Sequence, residues 1–121
     1  MTKKITSDKD VSKVSDLSNS INKIVVSRGN PFAKLMIIGE APGAKEEEIG
    51  EPFVGRSGKL LDKLLQNAGI DISQDVYFCN VVKCRPPKNR RPTKIEIQEN
   101  LPWLYQQIKL VNPEIIVLVG A

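Results

Sequence analysis

Apolar residues at helical spacing predict three helices in this chain. The first spans residues 11–26, and the polar residues 1–10 before it are expected to form a disordered tail. The second helix closes at Gly69, because glycine readily adopts the left-handed conformation that ends a helix. Its predicted core face comprises Leu60, Leu61, Leu64, Leu65 and Ala68.

The third predicted helix begins at Thr93, since Thr93 and Glu96 have the spacing of a capping box. It ends before Pro113, and Pro102 in its interior is expected to kink it. Its predicted core-facing residues are Ile97, Leu101, Leu104 and Ile108.

Three short apolar runs predict buried strands over residues 35–38, 76–82 and 114–119. Because helices and strands alternate, we expect an α/β fold: a three-layer α/β/α domain over residues 11–121 with a central parallel sheet. A fourth strand is expected beyond Ala121, since the third strand lacks a following helix to cover the sheet.

Two unusual loops follow the first two predicted strands. Residues 39–58 form a long glycine-rich loop, and residues 83–92 form a basic loop with three prolines. Ligands of parallel sheets bind beyond the carboxyl ends of the strands, so these loops mark the candidate site. A phosphate-binding P-loop is excluded, because Phe53 takes the place of its first glycine and Leu60 that of its serine or threonine.

The net charge of the 121-residue chain is only +4, but its basic residues are unevenly distributed. A solvated loop explains such a cluster, and so does a surface that contacts nucleic-acid phosphates. The cluster comprises Lys83, Arg85, Lys88, Arg90, Arg91 and Lys94. No apolar run predicts a membrane span or a signal peptide, so we expect a soluble, cytoplasmic protein.

The chain contains no histidine and only two cysteines, Cys79 and Cys84. This composition excludes a disulfide framework, a four-thiolate metal site and a histidine-activated nucleophile. Chemistry in this chain therefore has to rely on carboxylates, amides and bound water.

Four residues of the two loops are open to more than one interpretation. Phe53 could fill the core or stack on a base, and Asn80 could be a structural amide or could read a base edge. Asn89 could form an ordinary turn or position a water molecule, and Glu46 could simply belong to a solvated acidic helix.

Together these motifs resemble the family-4 uracil-DNA glycosylases over about residues 28–121. The match begins at Gly29-Asn30-Pro31 and includes the string GEAPG at residues 39–43 and GEPFVG at residues 50–55. It continues through GKLLD at residues 58–62 and NVVKCRPP at residues 80–87, then Asn89-Arg90 and Pro92.

The resemblance implies a pocket for a flipped uracil base. Phe53 would stack on the base, Asn80 would read its edge, and Glu46 would help to exclude the methyl group of thymine. Asn89 would position the attacking water. The implied lining of the pocket comprises Gly39, Glu40, Ala41 and Gly43; the implied phosphate contacts are Lys83, Arg85, Lys88, Arg90 and Arg91.

The sequence departs from the family pattern in two ways. Family-4 enzymes hold a 4Fe–4S cluster through four cysteines, of which only Cys84 remains, with Asn100 at the fourth position; we therefore expect no cofactor. A later His-Pro motif, which stabilises the leaving uracil, is also missing. Losing such a stabiliser costs about 100- to 1,000-fold in rate, so we expect this chain to be weak or inactive.

The leading hypothesis from the sequence is a monomeric uracil-DNA glycosylase of base excision repair, whose partner is uracil-containing DNA and which needs no protein partner. The alternative is a non-catalytic nucleic-acid-binding module with the same fold. Release of free uracil by the protein would distinguish the first from the second.

Overall fold

The computed structural model describes residues 24–120 of the protein. The predicted tail and most of the predicted first helix lie outside these residues. The end of that helix was wrongly predicted, because Ile24 forms an antiparallel bridge with Cys84. The backbone N–H of Val25 also donates to the carbonyl of Lys83, at 2.7 Å, so this segment runs beside residues 83–84, which follow the end of β3.

A four-stranded sheet forms the centre of the molecule, in the order β1-β3-β2-β4. Strand β2 pairs in parallel with β3 and β4, whereas β1 pairs with β3 in the antiparallel direction. The α/β fold is confirmed, but the sheet is mixed rather than wholly parallel. The strands are β1 (Arg28–Gly29), β2 (Leu35–Gly39), β3 (Val76–Asn80) and β4 (Ile115–Leu118).

Strand β1 lies in a segment that the sequence predicts as a loop. It has only two residues, so no alternation of apolar and polar positions marks it. Gly29 has φ of 93°, and a Cβ there would lie 2.1 Å from the carbonyl oxygen of Val76. Glycine is thus required for the chain to approach β3 this closely.

Within residues 24–120, three α-helices accompany the sheet: α1 (Ala44–Ile49), α2 (Arg56–Asn67) and α3 (Lys94–Val111). Helix α1 interrupts the predicted long loop. Helix α3 begins at Thr93 and ends at Asn112 as predicted, and it continues through Pro102. All four predicted core residues of α3 contact the apolar clusters of the interior.

Alternate residues of the central strands face opposite layers. Met36, Ile38, Tyr77 and Cys79 pack with Leu104 on the side of α3. On the other face, Ile37, Val76 and Phe78 pack against Leu61 and Leu65 of α2. Helices therefore cover both faces of β2 and β3, as the alternation predicts.

Two predictions of burial were wrong. Leu60 and Leu64 of α2 are 58% and 57% exposed, because the helix turns only a narrow stripe toward the sheet. The side chains of β4, at the sheet edge, are between 41% and 76% exposed, since no helix of the described chain packs against them. Within residues 24–120, no helix has the length and apolarity needed to cross a bilayer.

Candidate functional site

A cavity of about 620 Å³ opens at the carboxyl ends of β2 and β3. Its walls come from the loop that follows β2, the start of α2, the end of β3 and the basic loop. All eight residues that the sequence predicts as catalytic or base-binding line this one cavity: Gly39, Glu40, Ala41, Gly43, Glu46, Phe53, Asn80 and Asn89.

Phe53 holds its ring in the cavity wall in an uncommon backbone conformation. Its φ is 59°, in the left-handed region that non-glycine residues seldom adopt. Gly58 allows this conformation, since a Cβ there would lie 2.1 Å from the carbonyl oxygen of Phe53. The ring packs at 50° to that of Phe78, with their centroids 5.7 Å apart, and remains half-buried.

Arg28 of β1 stabilises the loop that carries Phe53. Its guanidinium donates to the carbonyls of Pro52 at 2.7 Å and Phe53 at 2.9 Å, and to the carboxylate of Asp62 at 2.8 Å. Its Cζ also lies 3.8 Å from the ring centre of Phe78, a cation–π contact. Arg28 is not among the predicted site residues, because a lone cation before Gly29 is its only signal in the sequence.

Glu46 of α1 stabilises the same loop from the side of the cavity. One carboxylate oxygen accepts from the N–H of Gly43 at 3.0 Å, and the other accepts from Val54 at 3.0 Å and Gly55 at 2.6 Å. Gly43 lines the cavity as predicted, but its N–H is engaged by Glu46 and is not available to a ligand. Glu46 lines the cavity but also holds its glycine-rich wall together.

Asn80 ends β3 and is 4% exposed. Its amide oxygen lies 2.5 Å from the position of a Cβ on Gly39, and the Phe53 ring carbon Cζ lies 2.6 Å from the same point. Among the described residues, none forms a hydrogen bond with the Asn80 side-chain amide. The amide and the aromatic ring thus meet above Gly39, with the polar group available to a ligand.

Lys83 was wrongly predicted to contact DNA phosphates. The residue is fully buried, and its ammonium donates to the carbonyl of Asn80 at 2.6 Å and to the side-chain oxygen of Gln107. Burial lowers the pKa of Lys83 to about 8. A phosphate on the surface cannot reach this group.

The other basic side chains of the loop lie at the surface, and three of them form ion pairs within the protein. Arg90 binds Glu96 at 2.7 Å, and Arg91 binds Glu40 at 3.1 Å. Arg85 contacts Glu47 of α1 at 3.5 Å. Arg90 and Arg91 also line the cavity, whereas Lys88 is exposed outside it.

Asn89 reaches the cavity from a short 3₁₀ turn, Pro87–Asn89, with φ of 56°. Asparagine is among the residues that tolerate this left-handed conformation best. Its side-chain oxygen accepts a hydrogen bond from Nε of Arg85 at 2.8 Å, which fixes the direction of the amide. The oxygen retains a second lone pair that can accept from a water molecule.

The residues near Cys84 do not fit an iron–sulfur cluster. Cys84 is 1% exposed among apolar side chains, and burial, aided by the charge of Glu47, raises its thiol pKa to about 11. Asn100 accepts from the N–H of Lys83 at 3.1 Å and donates to the carbonyl of Glu96 at 2.8 Å. The two side chains at the cluster positions are thus a protonated thiol and an amide whose oxygen and nitrogen are already hydrogen-bonded, whereas a cluster requires thiolate ligands.

Comparison with known proteins matches residues 26–121 to the family model described as the uracil DNA glycosylase superfamily. The chain is 49% identical over 98 residues to the type-4 uracil-DNA glycosylase of Thermotoga maritima, covering 81% of this chain and 50% of that protein.

Two further type-4 uracil-DNA glycosylases show similar identity. That of Pyrobaculum aerophilum is 47% identical over 96 residues, which is 79% of this chain and 48% of that protein. That of Archaeoglobus fulgidus is 43% identical over 105 residues, which is 87% of this chain and 52% of that protein. The chain spans about half the length of these relatives. Because the family model matches nearly all of its described residues, the chain belongs to the uracil-DNA glycosylase superfamily.

Proposed function

We propose that the protein recognises uracil in DNA and hydrolyses the bond between the base and its deoxyribose. The observation that carries this proposal is the meeting of an aromatic ring and an amide above one glycine. Phe53 and Asn80 both lie within 2.6 Å of the position of a Cβ on Gly39. A planar base can therefore be held by its face and its edge at once.

The recognition step follows from the two hydrogen-bonding ends of the Asn80 amide. Uracil presents a carbonyl beside an N–H, so it accepts from Nδ2 of Asn80 and donates to Oδ1. Cytosine reverses this pattern at the corresponding atoms, so it would leave polar groups unmatched in a buried site. The base has to leave the DNA stack to enter the cavity, because its edge is paired inside a duplex.

Asn89 supplies the hydrolytic water in this proposal. The water oxygen bonds to C1′ of the sugar as the bond from C1′ to the base nitrogen breaks, and the base leaves with that electron pair. The released proton passes to solvent, and the base is protonated in turn. An amide is a weak base, but a sugar with oxocarbenium character needs an oriented water more than a strongly activated one.

The proposed function also includes binding of DNA phosphates, action without an iron–sulfur cluster, and slow catalysis. The exposed Lys88 attracts the phosphates beside the flipped base, whereas Arg90 and Arg91 have to exchange their ion pairs with Glu96 and Glu40 to do so. The protein acts without an iron–sulfur cluster, because the Cys84 thiol is buried among apolar side chains and the Asn100 amide already forms hydrogen bonds. This chain recognises the base but releases it from the DNA only slowly.

The test uses single-stranded oligonucleotides that carry either uracil or cytosine at one position. We expect tighter binding to the uracil strand and slow release of free uracil, detected as strand cleavage after alkali treatment. The Asn89→Ala variant should retain the binding preference and lose the release. Equal affinity for the two strands would contradict the proposal. A clear preference for uracil without any release would favour the non-catalytic binding module instead.

A further inference from the structure

The buried ammonium of Lys83 lies directly behind the base-reading residue. Lys83 follows the end of β3 by three residues, and its side chain folds back so that Nζ lies 2.6 Å from the carbonyl oxygen of Asn80. The side chain is fully enclosed by protein. An ammonium group in such surroundings is costly unless every one of its partners is strongly polar.

The position of this contact follows from the shortness of β1. The N–H of Val81 bonds to Gly39 of β2, so the backbone groups of the preceding residue, Asn80, point to the opposite side of β3. That side is covered by β1 only as far as Phe78, the partner of Arg28. The carbonyl of Asn80 thus lies where no strand offers an N–H, and Lys83 supplies the missing donor.

A second set of contacts holds the ammonium in place. The side-chain oxygen of Gln107, on α3, accepts from Nζ of Lys83. Its nitrogen donates to the hydroxyl of Tyr77 at 2.9 Å and to the carbonyl of Val26 at 3.2 Å. Because an ammonium only donates, the amide of Gln107 can have only this orientation. The end of β3 is therefore connected to α3 through buried polar side chains.

The groups around the ammonium are themselves neutral near pH 7, and burial lowers the pKa of Lys83. Burial raises the pKa of the Tyr77 hydroxyl to about 12 and also raises that of the Cys79 thiol. The remaining polar neighbours, Gln107 and Asn100, carry no charge. Lys83 therefore has carbonyl and amide oxygens as its partners, with no counter-ion among the hydrogen-bond acceptors of the described chain.

We propose that Lys83 is a positioning residue, which fixes the carbonyl end of β3 and thereby the orientation of the Asn80 amide that reads the base. This inference rests on the proposed function, in which Asn80 distinguishes uracil from cytosine. Lys83 thus acts in the specificity for uracil over cytosine, and not in the phosphate binding that the sequence suggested. The base-reading amide has no side-chain partner in the described protein, so its placement depends on the backbone that carries it.

The first test needs neither a variant nor a ligand. In isotope-labelled protein, nuclear magnetic resonance should detect a scalar coupling across the hydrogen bond between Nζ of Lys83 and the carbonyl carbon of Asn80. The Lys83 ammonium protons should also exchange slowly with water. A rapidly exchanging ammonium without this coupling would overturn the inference, whether or not the protein acts on uracil.

The second test measures specificity. The Lys83→Met variant keeps the length of the side chain and removes its donors, and we expect it to reduce the ratio of uracil-strand to cytosine-strand affinity about tenfold. Binding to the cytosine strand and its salt dependence should not change, since the ammonium contacts no phosphate. Lys109→Met, on the exposed side of α3, is the matched control and should leave both affinities unchanged.

A double-mutant cycle separates positioning from general loss of structure. In an Asn80→Ala background, Lys83→Met should cause no further loss of specificity, because the group that it positions is absent. An equal loss in both backgrounds would refute the proposal. If Lys83→Met does not fold, Gln107→Met serves instead, since it removes the oxygen that accepts from Nζ of Lys83. Unchanged specificity in a folded Gln107→Met variant would count against the inference.

Discussion

Gly39 determines how closely the aromatic ring and the amide of the cavity can approach one another. A Cβ at this position would lie 2.5 Å from the Asn80 oxygen and 2.6 Å from Cζ of Phe53. Distances this short are far inside van der Waals contact, so one of the two groups has to move. A single methyl group would therefore disturb the two side chains that are proposed to contact the base.

At the residue scale we accordingly predict that Gly39→Ala weakens binding to uracil-containing DNA about tenfold or more, because it displaces Phe53 or Asn80. The matched control is Gly69→Ala. Gly69 has φ of 83° with nothing within 4 Å, so alanine there strains the backbone without touching the cavity. Fluorescence anisotropy with a labelled oligonucleotide measures both; equal losses in the two variants would show that stability alone is responsible.

The sequence predicts the members of the site better than the directions of their side chains. Phe53, Asn80 and Asn89 were placed together because the carboxyl ends of neighbouring parallel strands meet at one edge. Lys83 was misplaced because its position in a basic run carries no information about which way the side chain folds. Arg28 was missed because its partners are backbone carbonyls about 25 residues away, which no local pattern encodes.

At the scale of elements, the start of α3 connects the basic loop to the helix. Thr93 caps the helix by accepting from the N–H of Glu96, and Glu96 accepts in return from the N–H of Thr93 at 2.9 Å. The same carboxylate binds Arg90 through two hydrogen bonds, of 2.7 and 2.9 Å. These contacts, the Arg90 bonds first, lower the pKa of Glu96 to about 2.

This cap predicts a defined dependence of stability on pH. A carboxyl whose pKa is lowered in the folded protein stabilises it above its ordinary pKa, and that contribution is lost as the pH falls through 4.5 toward about 2. Glu96→Gln should reduce the free energy of unfolding by about 1 kcal/mol at neutral pH, since Arg90 is partly solvated.

The corresponding measurement is urea unfolding of both proteins between about pH 7 and pH 2. The difference between them should shrink as the wild-type carboxyl becomes protonated. A difference that stays constant over this range would mean that Glu96 acts only as a neutral cap, without its ion pair to Arg90.

Element boundaries were predictable where the local chemistry is strong. The capping box and Asn112 define both ends of α3, and repeated leucines define α2. Strand β1 was missed, and helix α1 was only an alternative interpretation of Glu46, because two and six residues are too few to show a period. Each short element is held in place by one of its own side chains, Arg28 in β1 and Glu46 in α1, which bind backbone groups of the loop that carries Phe53.

For the molecule as a whole, the six basic residues from Lys83 to Lys94 overstate how many cations this cluster offers to DNA. In the basic loop, Lys83 is buried, and three arginines bind carboxylates of the same chain. Lys88 is an exposed cation of this loop. A count of basic residues in the sequence cannot reveal this internal pairing, because the acids lie on other elements.

We therefore predict unequal contributions of these lysines to the salt dependence of DNA binding. Lys88→Ala should reduce the slope of log affinity against log salt concentration by about 0.7 on single-stranded DNA, the value for one phosphate contact. Lys83→Met should leave the slope unchanged. Titrations at several potassium chloride concentrations measure both slopes, and equal reductions would contradict the burial of Lys83.

The two-residue length of β1 has an evolutionary consequence. A backbone N–H is present whatever residue a codon specifies, so a hydrogen bond between strands survives most substitutions. At the end of β3 that bond comes from Lys83, and it exists only while codon 83 encodes lysine. In the role proposed for Lys83, the base selectivity of the pocket is thus open to change by a point mutation at a buried position that lines no part of the cavity.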